Sequence, residues 1–215
     1  MIPLLHDFTD ETVLVFGGGP VGARKARRFG TEASVVVVSP DFADRDFGAA
    51  ELVREAPDAD GIREWVDRTD PALVVAATDD ADLNAAAEAA AQERGALVNR
   101  ADDHGEQSVG NVVVPATVRD DPVVMAVATG GHAPALSKHL RESLEERFAG
   151  AGSMAELTGG LREELKATDM TPTERRDAVR RVVRSDDVWK ALDSGSTKAR
   201  QVAVDVIGCQ LGDTS

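Results

Sequence analysis

The run Thr12–Gly22, TVLVFGGGPVG, constrains the fold more than any other stretch of this chain. A β-branched apolar run, Val13 to Phe16, stops at a glycine cluster, and an arginine-rich segment of helical character follows. Gly17, Gly19 and Gly22 keep the G-x-G-x-x-G spacing, and Pro20 and Val21 fall between the second and third glycines. Alone, the spacing also suits a plain strand–turn–helix. With a strand before it and a helix after it, each glycine acquires a physical task. The first permits the tight turn, the second lets the backbone approach a pyrophosphate, and the third lets the helix pack closely. Unpaired N–H groups and the positive end of the helix dipole then hold the phosphates.

The rest of the first half alternates strand and helix. Strands are expected at Ser34–Val38, Glu51–Arg54, Ala72–Ala76 and Ala96–Asn99. Helices are expected at Val21–Phe29, Gly61–Val66 and Ala81–Arg94, the last capped by Asp79 or Asp80 and closed by Gly95. Apolar runs without alternation are the mark of parallel strands buried on both faces. The fold class is therefore α/β, a Rossmann-type doubly wound parallel sheet. Polar Arg100–Ser108 follows as a loop. Val109–Val114 and Pro122–Thr129 read as a strand pair outside the first sheet, with a turn at Arg119–Pro122. From Ala133 the chain is mostly helical, with Thr171, Pro172 and Glu174 forming a capping box and a last helix over Ser196–Ile207. These changes divide the chain into a dinucleotide-binding domain (1–113), a small α+β segment (114–150) and a helical C-terminal region (151–215).

Several residues carry chemistry by position. Ser39-Pro40-Asp41 ends the second strand, about where a carboxylate meets a ribose 2′-hydroxyl; Asp41 also suits a helix N-cap. No arginine lies at Ser39–Phe42, which favours NAD over NADP, although Arg45 is close. Thr78 sits at the carboxyl end of a strand, where it bonds either the cofactor or a loop carbonyl. Asp102 and Asp103 follow the next strand and suit a base, a metal ligand or a solvated acidic loop. Thr129-Gly130-Gly131-His132 opens a helix and suits an anion site or a simple connector. The four histidines, His6, His104, His132 and His139, have no ligand spacing, so no metal site is expected.

Composition narrows the classes. One cysteine, Cys209, rules out an internal disulfide and fits a reducing cytoplasm. No apolar run reaches membrane-spanning length. Net charge is −14, and only five of the 24 basic residues are lysine. Acidic residues run along the whole chain, which suggests a halophilic surface or an ordinary acidic cytosolic protein, and either way argues against nucleic-acid binding.

Five segments together resemble a known family: IPLLHDF, VLVFGGGPVGARKA, VVVVSPDF, VVAATDDADLN with VNRADD, and VVMAVATGGHAPALSKHLRESLEE. The chain is similar to precorrin-2 dehydrogenases, including the N-terminal module of siroheme synthase. The resemblance implies NAD-dependent oxidation of precorrin-2 to sirohydrochlorin, in some members followed by Fe²⁺ insertion. It implies a homodimer formed through residues 114–150, and a separate uroporphyrinogen methyltransferase supplying the substrate. It assigns the catalytic role to Asp102 and cofactor contacts to Pro20, Val21, Pro40, Asp41 and Thr78. A polycarboxylate substrate further suggests Arg100, Arg141, Lys138 and the turn at Gly130, Gly131 and His132. A rival reading is a non-catalytic Rossmann module that senses NAD. An unrelated small-molecule dehydrogenase is weakened by the lack of a recognisable Ser-Tyr-Lys set or His–Asp pair.

Overall fold

The computed structural model describes residues 3–101 and 111–208, in two compact units, Met1–Val114 and Pro115–Ser215. In the first unit β1 (Thr12–Phe16), β2 (Ser34–Ser39), β3 (Glu51–Arg54), β4 (Leu73–Ala76) and β5 (Leu97–Arg100) form one parallel sheet. Its order is β3-β2-β1-β4-β5. Helices α1 (Pro20–Phe29), α2 (Ala59–Thr69) and α3 (Ala81–Arg94) connect the strands.

The side-chain alternation of β1 explains why it is apolar from Val13 to Phe16. Leu14 and Phe16 pack with Ile62, Trp65 and Val66 of α2 and with Ala87, Ala90 and Ala91 of α3. Val13 and Val15 point the other way, onto Ala23 and Ala26 of α1. Both faces are dry from Val13 to Phe16, where no polar residue stands. The alanines let the helices lie close to the sheet.

Local signals fix the helix ends. Asp80 caps α3 by accepting from the N–H groups of Asp82 and Leu83, and Gly95 ends it in the left-handed region. Helix α2 is longer than the Gly61–Val66 expected, because Asp58 caps it by accepting from Gly61 N–H, and it runs on until Asp70 at φ 42°.

In the second unit β6 (Ala116–Asp120) and β7 (Val123–Val127) pair antiparallel. The expected strand at Val109–Val114 is therefore corrected. Val109 lies outside the described residues, Asn111 makes a lone parallel bridge to Val98, and the hairpin partner of β7 begins only at Ala116. After the hairpin come α4 (Pro134–Arg147), α5 (Ala151–Lys166), α6 (Pro172–Val183), α7 (Asp186–Leu192) and α8 (Ser196–Ile207). Met154, Leu161, Leu165, Ala178, Val182, Val188, Ala203 and Ile207 make the core of α5 to α8. The capping box of Thr171 and Glu174 is present in both directions, Glu174 N–H to the threonine hydroxyl and Thr171 N–H to the glutamate.

Candidate dinucleotide site

Register brings the strand ends level. Phe16 pairs with both Val38 and Ala76, and Ala76 pairs with Arg100. Gly17 N–H donates to Val38 O at 3.0 Å, and Ala77 N–H to Phe16 O at 2.9 Å. Strand β1 passes on one side to β2 and is flanked on the other by β4. This is the reversal point at which open α/β sheets collect ligands.

The glycines at this point differ in what they do. Gly17 has φ 114°, and a Cβ there would stand 2.4 Å from Ala77 O. At Gly22 a Cβ would stand 1.9 Å from Gly17 O, so the third glycine lets α1 lie against the turn itself. Gly19 has ordinary dihedrals, and nothing lies within 4 Å of where its Cβ would be. That open space faces a helix start with no side-chain cap and no acid in its first turn. Pro20 is the first helical residue and brings no N–H, while the N–H groups of Val21 and Gly22 precede the first intrahelical donor, Ala23. Uncapped donors beside an open backbone suit a pyrophosphate, so these residues fit a dinucleotide.

Gly18, which the motif leaves unspecified, is as constrained as its neighbours. A Cβ there would stand 2.2 Å from Asp41 O and 2.9 Å from Ser39 Oγ. The loop after β2 folds directly onto the glycine turn, with Ala43 N–H donating to Gly18 O at 2.8 Å. Buried Ser39 holds this loop, its hydroxyl donating to Asp41 O at 2.8 Å. Asp41 follows Pro40 at the rim, and Arg54 at the end of β3 reaches it: Nη1 donates to Asp41 Oδ1 at 2.8 Å and to Pro40 O at 2.9 Å. Sequence reasoning missed both Gly18 and Arg54. The triple glycine was a visible signal for the first. For the second, only the register Ser39↔Arg54 places the arginine beside the loop.

Thr78 stands on the same edge, with its hydroxyl turned inward. It lies 2.8 Å from Asn84 Oδ1, and Asn84 Nδ2 donates back to Thr78 O at 3.1 Å. Arg100 is directed onto α3, donating to Glu88 Oε2 at 3.0 Å with both side chains mostly buried. Asn99 Nδ2 donates to Val112 O at 2.8 Å. Asp102, Asp103 and His104 lie outside the described residues.

In the second unit, Gly130 and Gly131 both adopt positive φ, 61° and 80°, and turn the chain into α4. Ala133, the N-cap of α4, makes no side-chain bond, and the first turn holds no acid. His132 Nδ1 lies 3.3 Å from Thr129 O, and Lys138 is exposed beside Glu142 at 3.9 Å. Arg141 pairs with Glu145 and Glu142.

Comparison with known proteins agrees with this geometry. The family described as "Putative NAD(P)-binding" matches residues 4–116, over half of the chain. The precorrin-2 dehydrogenase of Methanosarcina barkeri is 30% identical over 220 aligned positions, covering 98% of this chain and 95% of that protein. The chain belongs to the precorrin-2 dehydrogenase family. Two further relatives of the family are longer. Siroheme synthase 1 of Pectobacterium atrosepticum is 37% identical over 77% of this chain, and siroheme synthase of Pseudomonas entomophila 34% identical over 94%. The aligned parts make up 34% and 41% of those two proteins. The solved structure titled SirC, precorrin-2 dehydrogenase, shares the fold with a TM-score of 0.63 at 20% identity, covering 97% of this chain and all of that one.

Proposed function

We propose that this chain oxidises precorrin-2 to sirohydrochlorin, using NAD⁺, in siroheme biosynthesis. The observation that carries the reading is the uncapped start of α1 beside the open Gly19, within a chain that matches a precorrin-2 dehydrogenase from end to end. NAD⁺, when bound, supplies the acceptor for the hydride. The chain's residues bind and orient. N–H groups of Val21 and Gly22 receive the pyrophosphate across the Gly17–Gly19 turn, and the Ser39-Pro40-Asp41 loop takes the adenosine ribose. Thr78, bonded to Asn84, shapes the rim rather than offering its hydroxyl. Asp102, two residues beyond β5, takes the proton released as the macrocycle becomes conjugated. Gly130, Gly131, His132 and Lys138 receive substrate carboxylates at the start of α4. Arg100, already neutralised by Glu88, supports the strand end from which Asp102 follows.

The segment 114–150 forms a homodimer in this reading. Helix α4 buries none of its residues, and Leu136 and Leu140 are exposed one turn apart. A two-stranded hairpin with one helix is marginal alone and gains from a second copy. The enzyme works in the cytoplasm on substrate made by a separate uroporphyrinogen methyltransferase. Among the described residues no helix is long and apolar enough to cross a membrane.

The test is anaerobic turnover. Purified protein, precorrin-2 and NAD⁺ should yield sirohydrochlorin and NADH in equal amounts. Asp102→Ala should abolish turnover while NAD⁺ still binds. NAD⁺ binding without any turnover by the unsubstituted chain would favour the sensing module. Adding Fe²⁺ to the finished reaction asks separately whether the chain inserts iron.

A further inference from the structure

We propose that Arg54 makes the ribose end of this site accept a 2′-phosphate, so that the chain takes NADP⁺ as well as NAD⁺. The inference rests on the reading of the crevice as a dinucleotide site. An acid after the second strand selects NAD by accepting from the ribose 2′-hydroxyl and by repelling a phosphate placed there; an arginine nearby accommodates that phosphate. The sequence places only Asp41 at this point, whereas the fold adds Arg54 through the register of β3 on β2.

Three contacts hold the guanidinium of Arg54. It bonds Asp41 Oδ1, it bonds Pro40 O, and its Cζ lies 5.5 Å from the centroid of the Phe42 ring. Only the first depends on the carboxylate. Phe42 is itself anchored edge-on against buried Phe47. If Asp41 withdraws, Pro40 O and the ring still keep the arginine at the rim. Withdrawal is easy because the Asp41 side chain is 91% exposed and its pair with Arg54 is open to water. Both of these bonds use Nη1, which leaves Nη2 and Nε for the oxygens of a phosphate dianion. A dianion meeting a planar fork of donors is a stronger partner than one solvated carboxylate. Asp41 therefore acts as a placeholder on Arg54: with NAD⁺ it turns to the ribose hydroxyls, and with NADP⁺ it yields to the phosphate.

Calorimetric titration of the full chain with NAD⁺, NADP⁺, ADP-ribose and 2′-phospho-ADP-ribose, at one fixed salt concentration, tests this. The unsubstituted chain should bind NADP⁺ within about tenfold of NAD⁺, and Arg54→Gln should raise the Kd ratio of NADP⁺ to NAD⁺ by about tenfold or more. Asp41→Asn should lower the same ratio. The ADP-ribose pair should follow the dinucleotides, since the effect belongs to the ribose end. Discrimination against NADP⁺ of about a thousandfold by the unsubstituted chain, or a ratio that Arg54→Gln moves by less than about twofold, overturns the proposal. If folded protein binds none of the four ligands, the dinucleotide reading itself falls.

Discussion

A single methyl group separates the tasks of the glycines. At Gly22 it would meet the carbonyl of Gly17 at 1.9 Å, and that oxygen belongs to backbone that cannot swing aside. Gly22→Ala should therefore destabilise the first unit by about 1–3 kcal/mol, as overpacking does, and weaken NAD⁺ with it. At Gly19 the same methyl meets nothing of the protein and enters the space offered to the pyrophosphate. Gly19→Ala should leave the melting temperature nearly unchanged and weaken NAD⁺ at least about tenfold. Thermal melts paired with NAD⁺ titrations check both, and equal losses of stability in the two variants would remove the distinction. Lys25, also on α1, makes a different kind of prediction. Burial, with Arg28 and Arg24 close by, lowers its ammonium from 10.5 to about 8. At neutral pH it is charged folded and unfolded, so only the folded state carries the desolvation cost. Between about pH 8 and 10.5 the unfolded chain holds the proton that the folded one has released, so stability rises with pH across that window. Lys25→Met should stabilise the protein at pH 7 by at most about 3 kcal/mol, an advantage that fades toward pH 10.5. Urea unfolding of both forms at pH 7 and pH 10 measures it.

Among the helices of the described residues, α4 is exceptional in burying none of its residues. An isolated helix of this length is unstable in water, because most helical stability comes from packing an apolar face. Exposed Leu136 and Leu140 are therefore the candidates for the dimer surface proposed above. Leu136→Glu with Leu140→Glu should turn a dimer into a monomer in light scattering while the helical signal persists; a chain that is monomeric without the substitutions would refute the assignment. Legibility differs sharply between elements for a physical reason. Helix α3 was readable end to end, since Asp80 and Gly95 satisfy its terminal groups from within a few residues. The capping box of α6 was local in the same way. What could not be read depended on partners far along the chain. The start of β6 is decided by its pairing with β7, not by the apolar residues before it. Arg54 reaches Asp41 only because Ser39 and Arg54 stand opposite each other in β2 and β3. At Thr78 the sequence left cofactor and loop carbonyl equally open; in the fold its hydroxyl reaches Asp80 O at 3.0 Å and Asn84 Oδ1 at 2.8 Å. Short α7, capped by Ser185, has too few residues for a periodicity to be read.

At the scale of the whole molecule the acidic residues run along both units, but the acidic excess does not. The unit Met1–Val114 holds 22 acidic and 10 basic residues, and Pro115–Ser215 holds 16 and 14. The first unit therefore carries −12 of the net −14. Its exposed ion pairs, such as Arg63–Asp60 and Arg27–Asp46, are of the kind that contributes little in water. Self-repulsion is consequently concentrated in the dinucleotide-binding unit, and salt relieves it as the screening length falls from about 10 Å at 0.1 M to about 3 Å at 1 M. The chain has two tryptophans, and they report separately: Trp65 lies in α2 of the first unit, Trp189 in α7 of the second. Trp65 is nearly buried, with Arg68 over its ring and its Nε1 donating to Glu55. Trp189 donates to Val183 O. Trp189→Phe leaves a chain whose fluorescence follows the first unit, and Trp65→Phe one that follows the second. Potassium chloride should raise the melting midpoint seen by Trp65 well above the rise seen by Trp189, because only the first unit has a large charge to screen. Equal shifts would mean that salt acts through burial of apolar surface, which both units share, and that the acidic excess is not what makes the protein respond to salt.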